Sequence, residues 1–370
     1  MPRSGKVAEQ YLLLSAYWAA SQILQGLTVD KNGTIVRKNY VFAKISRPEV
    51  AKHFLTPVPA TLLTTLVTEG KLTSREADLA KNLCISEDVT VEADSGGHTD
   101  GRPLGPLFSE ILQLRNNLSA LYNYDTWPRI GAAGGLGTPS AIASAFALGA
   151  AYVVIGSVHQ SCLESGMSPS GKKMLADAGL ADIALTACAD MFEQGVKVQV
   201  LKRGTMMPQR GNYLYNLYTN YKSLDEIPQK DLAKLEKEIF RDTIIKIWQE
   251  TEDFFNKVEP SQVARAATDP RHKMALIFRW YIGKSSQWPL QETTGRQIDY
   301  QIWCGPAMGA FNKWVEGSFL EPVENRNIKQ VALNLMEGAA RITKANQLRA
   351  CGISIGEEAF FYTPTKLISN

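Results

Sequence analysis

Residues 89–100 read VTVEADSGGHTD, and residues 129–157 read RIGAAGGLGTPSAIASAFALGAAYVVIGS. A helix-length spacer separates them. Val89-Thr90-Val91 is a β-branched run that leads into acids, a glycine pair and a histidine. Residues 130–135 are a short apolar run ending in Gly-Gly. Thr138 can cap a helix whose first residue is Pro139, where a missing N–H costs nothing. Ala141, Ile142, Ala145, Phe146 and Leu148 give that helix one apolar stripe. Residues 151–155 read as a second buried strand, closed by Gly156-Ser157. Strand, glycine turn, helix, strand, glycine turn is a right-handed parallel unit. Two glycine-rich strand ends 21 residues apart can aim backbone N–H groups at one phosphate. The loops after the last two strands of a (β/α)8 barrel commonly do so.

The rest of the chain bounds this reading. Its 370 residues can bury a large core and carry an appendage to the main domain. A net charge of +3 gives no reason to expect a nucleic-acid partner. The five cysteines show neither CxxC nor an even framework, which points to a reducing cytoplasm. Residues 11–20, YLLLSAYWAA, follow Arg3 and Lys6 in the manner of a signal peptide, but no stretch reaches membrane-spanning length. They read as a buried strand or helix. KNGT at 31–34 reads as a turn. Residues 40–46 read as a buried strand carrying Lys44, whose ammonium either meets an anion or snorkels to solvent. Residues 60–83 read as one helix. Residues 158–195 read as short helices and loops, 209–258 as strongly helical and 328–350 as a last helix. Residues 272–320 hold four of the seven tryptophans. They fit either a lid over an apolar pocket or a helical core.

Chemistry concentrates at the first stretch. Glu92 and Asp94 end the strand, where barrel enzymes keep their reactive groups. Gly96 and Gly97 allow close backbone approach, and His98 titrates near neutral pH. A histidine sharing a strand end with two acids and a glycine pair is the candidate for catalysis or ligand binding. His53 and His272 sit in charged helical surroundings and read as surface residues. His159 could line the same pocket as Gly156-Ser157. No His/Cys/Asp cluster has zinc spacing, so no metal is expected. GAAGGLG is not a dinucleotide fingerprint, because no acid is suitably placed after the next strand.

These stretches, with ADMFEQGVKVQVLKRGTM, DPRHKMALIFRWYIG and DYQIWCGPAMGAFNKWVEGSFLE, resemble the PfaD-type trans-acting enoyl reductases. Those proteins serve polyunsaturated fatty acid synthases and trans-acyltransferase polyketide synthases. They group with the nitronate monooxygenases, once called 2-nitropropane dioxygenases. The resemblance covers roughly residues 40–350. It implies an α/β fold, a (β/α)8 TIM-type barrel binding FMN, with a C-terminal helical subdomain. It divides the chain into a flavin-binding barrel portion (1–205), a helical subdomain with an aromatic-rich cap (206–350) and a tail (351–370). By motif position, Gly134, Gly135, Gly156 and Ser157 hold the FMN phosphate. Ser95, Gly96 and Gly97 lie along the flavin, with Lys44 and Glu92 near it, and His98 is the active-site histidine. Residues 15–18, SAYW, match the family's early strand poorly. Only four or five strands are visible, so the barrel is expected to be incomplete at its N-terminal side.

The implied activity is reduction of an enoyl thioester on an acyl carrier protein, with NAD(P)H as reductant. Lys202, Arg203 and Arg210 are the basic residues that could meet the carrier's acidic surface. The alternatives are a nitronate-type oxidase and a non-catalytic barrel remnant that binds a synthase. Neither a membrane nor a nucleic acid is expected as partner, and a homo-oligomer is compatible with the sequence.

Overall fold

Asp30 Oδ1 accepts from the N–H groups of Asn32 and Thr34 at 2.8 and 2.9 Å and folds KNGT into the expected turn. That turn pairs β1 (Thr28–Val29) antiparallel with β2 (Ile35–Val36). The computed structural model describes residues 21–367, so the readings placed on 11–20 lie outside it. The described residues form two compact units. One takes the residues up to Asp94, Asp100–Ile155 and Ala339–Phe361; the other takes Ser95–Thr99, Gly156–Gly338 and the residues from Tyr362 on.

In the first unit, β3 (Phe42–Ile45), β4 (Asp88–Glu92), β6 (Arg129–Ala133) and β7 (Val153–Val154) form a parallel sheet in that order. Sequential order is that of a β/α barrel wall. The registers Ile45↔Val91, Glu92↔Ala133 and Ala133↔Val154 bring all four C-terminal ends to one edge. The helix Pro139–Ala147 starts as read from sequence, with Thr138 Oγ1 accepting from Ala141 N at 3.3 Å. The strand read over 151–155 contracts to Val153–Val154, because the Tyr152 ring lies where a side chain on Gly131 would be. Tyr152 is held there by Thr90, their hydroxyls 2.9 Å apart.

β3 is not a buried strand. It is at the end of the sheet order, with Ala43 and Ile45 buried and Phe42 and Lys44 exposed. The single helix read over 60–83 is two, Ala60–Thr68 and Ser74–Ala80. Gly70 at φ +68° ends the first, and Thr73 with Glu76 forms a reciprocal capping box on the second. Their buried faces, Leu63, Leu66, Ala77 and Ala80, pack with Ile23, Leu24 and Leu27.

In the second unit, β5 (Gly97–His98), β9 (Lys197–Leu201) and β8 (Ile183–Ala187) form an antiparallel sheet in the order β5-β9-β8. β8 falls within residues 158–195, whose sequence reads as helices and loops. The unit's central helix, Pro270–Gln291, buries Met274, Leu276, Ile277, Phe278, Tyr281, Ile282 and Trp288. Those aromatics fill a core rather than form a lid. His272 is buried, not on the surface, and pairs with Glu193 at 2.5 Å. The 209–258 stretch divides into Met207–Asn220, Gln229–Lys234 with a π-helical continuation Leu235–Phe240, and Ile244–Val258. The last helix, Ile328–Ala350, has the limits read from sequence. No helix among the described residues is long and apolar enough to cross a membrane.

Asp299, fully buried, is the electrostatic centre of this unit. Arg210, Arg241 and Arg296 pair with it, and Tyr281 donates to it at 2.8 Å. Arg210 is therefore occupied internally and is withdrawn from the carrier-facing set. Removing one member of a buried charge network leaves the others unpaired, so Asp299→Ala should lower unfolding free energy by about 3–5 kcal/mol in chemical denaturation.

Candidate functional site

The C-terminal edge of the parallel sheet carries the first group of expected residues. Lys44 Nζ lies 2.6 Å from Glu92 Oε1, across the β3–β4 pair. Lys44 thus meets an anion within the protein, with its side chain half exposed and Glu92 mostly buried. After β3, Arg47 grips Asp100 through two hydrogen bonds of 2.9 and 2.8 Å, and Ser46 donates to the same carboxylate at 2.6 Å. These bonds hold the Asp100 carboxyl down at about 2, against 3.8 ordinarily. A depressed folded-state pKa stabilises the fold above the unfolded value. That contribution is lost as pH falls through about 2. Asp100→Asn should therefore flatten the pH dependence of the unfolding midpoint between about pH 4 and pH 2, measured by circular dichroism.

The two glycines after β6 differ. Gly134 has φ +87°, and a Cβ there would lie 2.7 Å from the Ala93 carbonyl carbon and 2.8 Å from the Asp94 oxygen. Its bare Cα is needed by the fold. Gly135 has φ +72° and nothing within 4 Å of where a Cβ would be. It precedes the capped helix Pro139–Ala147, whose N-terminal N–H groups favour an anion.

In the second unit, Gly156 opens the short helix Ser157–Gln160 and also has nothing within 4 Å of its Cβ position. Ser157 Oγ accepts from Gly305 N at 3.0 Å. Gly96 and Gly305 face each other: a Cβ on Gly96 would be 2.7 Å from Cys304 N, and one on Gly305 would be 2.7 Å from Gly96 N. Gln199 Nε2 donates to Ser95 O at 2.9 Å. Ser95, Gly96 and Ser157 thus form one braced backbone assembly with Cys304-Gly305.

That assembly sets His98. Gly97, at φ +82°, turns the chain so that Gly97 and His98 pair with Gln199 and Val198 of β9. The His98 ring stands edge-on to Trp303, with centroids 5.8 Å apart and planes at 82°. Its Nε2 is buried, makes no hydrogen bond, and lies 3.4 Å from Asp190 Oδ1. The Asp190 carboxyl is also buried in part, but the Cys188 thiol and the charged form of His98 hold it below its ordinary range. Burial pushes the Cys188 thiol up to about 12, so it keeps its proton. The donor atoms of His98, Cys188 and Asp190 lie within 4.8 Å of one another, a cluster invisible in their spacing along the chain.

Sequence reasoning missed Asp100, Cys188, Asp190, Trp303 and Gly305. The signal for Cys188 and Asp190 is their place just after β8, in a stretch whose sequence reads as loop. Trp303 lies in the aromatic-rich stretch but in no periodic pattern. Lys202 and Arg203 are exposed, Arg203 pairing with Asp182 at 3.3 Å.

Known proteins share this architecture. The nitronate monooxygenase family model matches residues 72–239. The model of the inserted helical domain of [acyl-carrier-protein] S-malonyltransferase matches residues 221–300. A polyunsaturated fatty acid synthase polypeptide of Thraustochytrium sp. is 41% identical over 350 residues, which is 92% of this chain and 23% of that protein. The polyketide biosynthesis protein PksE of Bacillus subtilis is 41% identical over 331 residues, 88% of this chain and 43% of its own length. The chain thus spans less than half the length of each of these curated relatives. The crystal structure of the enoyl reductase domain of MlnA, from the macrolactin cluster of Bacillus amyloliquefaciens, superposes with a TM-score of 0.84 at 35% identity, over 90% of this chain and 74% of that one. The chain belongs to the PfaD-type enoyl reductase family, within the nitronate monooxygenase-like oxidoreductases.

Proposed function

We propose that this chain is an FMN-dependent enoyl-thioester reductase that acts in trans on acyl carrier protein substrates, using NAD(P)H. The observation that carries the reading is the His98 ring, braced by Trp303 with its buried Nε2 beside Asp190. Such a ring can meet a substrate with its other nitrogen. The residues fit a flavin phosphate. Gly135 in the first unit leaves open the space a Cβ would fill, and so, taken by itself, does Gly156 in the second, so the backbone N–H groups of either turn can approach an anion. Gly134 and Ser157 support those turns, the first by packing on Ala93 and the second by bonding Gly305. When bound and reduced by NAD(P)H, FMN would supply the hydride that adds to the β-carbon of the enoyl group, with a proton from solvent completing the α-carbon.

The chain's own residues do the remaining work. His98 donates a hydrogen bond to the thioester carbonyl oxygen as negative charge grows there. The Lys44–Glu92 pair keeps the sheet edge electrically neutral. Lys202 and Arg203 offer exposed positive charge to an acidic carrier surface. The relatives' names support the synthase setting, as components of polyunsaturated fatty acid and polyketide assemblies. The test is the absorbance spectrum of freshly purified protein, followed by NAD(P)H consumption with a crotonyl thioester and oxygen uptake with an alkyl nitronate. A yellow protein that oxidises NAD(P)H only with the thioester is the expected result. Turnover of the nitronate alone would instead make His98 a general base in an oxidase, and a colourless protein that turns over neither would be a binding module.

A further inference from the structure

Asp190 stands just after β8, with its side chain 62% exposed, where an ordinary surface ion pair contributes little to stability. Its surroundings are not ordinary. The protonated Cys188 thiol, on a residue only 2% exposed, has its sulfur within 4.8 Å of the carboxylate and helps hold it below its ordinary range. Asp190 Oδ1 lies 3.4 Å from His98 Nε2, a buried atom with no hydrogen bond. Trp303 limits the tilt of the ring. The ring is thus held at one nitrogen by charge and on one edge by an aromatic wall.

We propose that Asp190 is the positioning residue for His98, and that Cys188 in turn orients Asp190. This rests on the reading of His98 as the hydrogen-bond donor to a thioester carbonyl. A neutral imidazole carries one N–H, and beside a carboxylate that N–H sits on Nε2. Nδ1 can donate only when the ring is charged on both nitrogens, and the Asp190 carboxylate is the group that balances that charge. Nδ1 is therefore the atom presented to substrate. Catalytic contacts of this kind are often long without substrate and tighten in the complex, which accommodates the 3.4 Å separation.

The test compares the parent, Asp190→Asn, Asp190→Glu and Cys188→Ala, all as the flavin-loaded full chain. Asp190→Asn keeps the shape but replaces the acceptor with an amide that can donate to Nε2. It should retain FMN content and melting temperature. Its kcat with the crotonyl thioester should fall roughly 10–10²-fold with KM changed less than about twofold, since the neutral ring, now protonated on Nδ1, donates to the developing oxyanion more weakly than the charged ring that Asp190 balances. Asp190→Glu should recover part of kcat, and Cys188→Ala should lose less than Asp190→Asn. Ring ¹⁵N spectra, with the His98 signal identified by its absence in His98→Ala, should show Nε2 losing its proton in Asp190→Asn. Parent-like kcat or unchanged His98 ring signals in Asp190→Asn would overturn the assignment. If the parent itself fails to reduce the thioester, the reductase reading falls, and the ring spectra alone decide whether Asp190 holds His98.

Discussion

His98→Ala lowers enoyl-thioester reduction by about 10²-fold or more while flavin content stays at the parent level. This is the expected outcome of removing one donor from a developing oxyanion. The magnitude follows from such losses in preorganised sites, about 2.7–4 kcal/mol of transition-state stabilisation. The split between chemistry and cofactor follows from the structure. His98 is tied to Asp190 and Trp303, through its ring, and to β9, through its backbone. Alanine keeps the β9 pairing, because residues 97 and 98 pair through main-chain groups that the substitution leaves intact. The ring removed is 37% exposed, so little packing is lost. The measurements are kcat and KM with a crotonyl thioester, the 450 nm absorbance after desalting, and the melting temperature. A variant that turns over the thioester at the parent rate would remove His98 from the mechanism.

What the sequence made legible is the part whose signals are local. The Thr138-Pro139 helix start and the Ile328–Ala350 helix are encoded by caps and periodicity within a single segment. The parallel order β3-β4-β6-β7 follows from short apolar runs separated by helix-length spacers. Apart from the split of the helix read over 60–83, which Gly70 and the Thr73–Glu76 box set locally, the failures share a physical cause: the deciding partner is far away in the chain. Tyr152 shortens β7 because Thr90 and Gly131 receive its ring. His272 reads as solvated because its neighbours in sequence are charged, yet Glu193 pairs with it in the core. Arg210 reads as a docking residue, but Asp299 claims it from 89 positions away. The same holds at the site. His98 is readable from GGH, whereas Asp190 and Cys188 reach it only through the pairing of β5, β9 and β8.

Two valine substitutions separate the glycines that the fold needs from those a phosphate would need. Gly134→Val should unfold the protein or cost several kcal/mol, roughly at the upper end of single-site effects. Its φ of +87° is one that a β-branched residue cannot adopt without strain, and its Cβ would meet the Ala93 and Asp94 main chain below 3 Å. Neither backbone group can move aside, because Ala93 N bonds Ala133 O at 2.9 Å and Asp94 N bonds Arg102 O at 2.9 Å. Gly156→Val differs on each count. Its φ of −106° is open to any residue, and nothing stands within 4 Å of its Cβ position. Loss of glycine at the start of a four-residue helix costs at most about 1 kcal/mol. The protein should therefore fold, with its melting temperature nearly unchanged. A valine there projects into space that the flavin phosphate is proposed to use, blocking at least one charge-assisted N–H contact worth about 1.5–3 kcal/mol. FMN affinity, read by fluorescence quenching, should then fall roughly 10–10²-fold at about 1.4 kcal/mol per decade. A folded Gly156→Val protein that binds FMN as tightly as the parent would place the phosphate elsewhere, whatever Gly134→Val did.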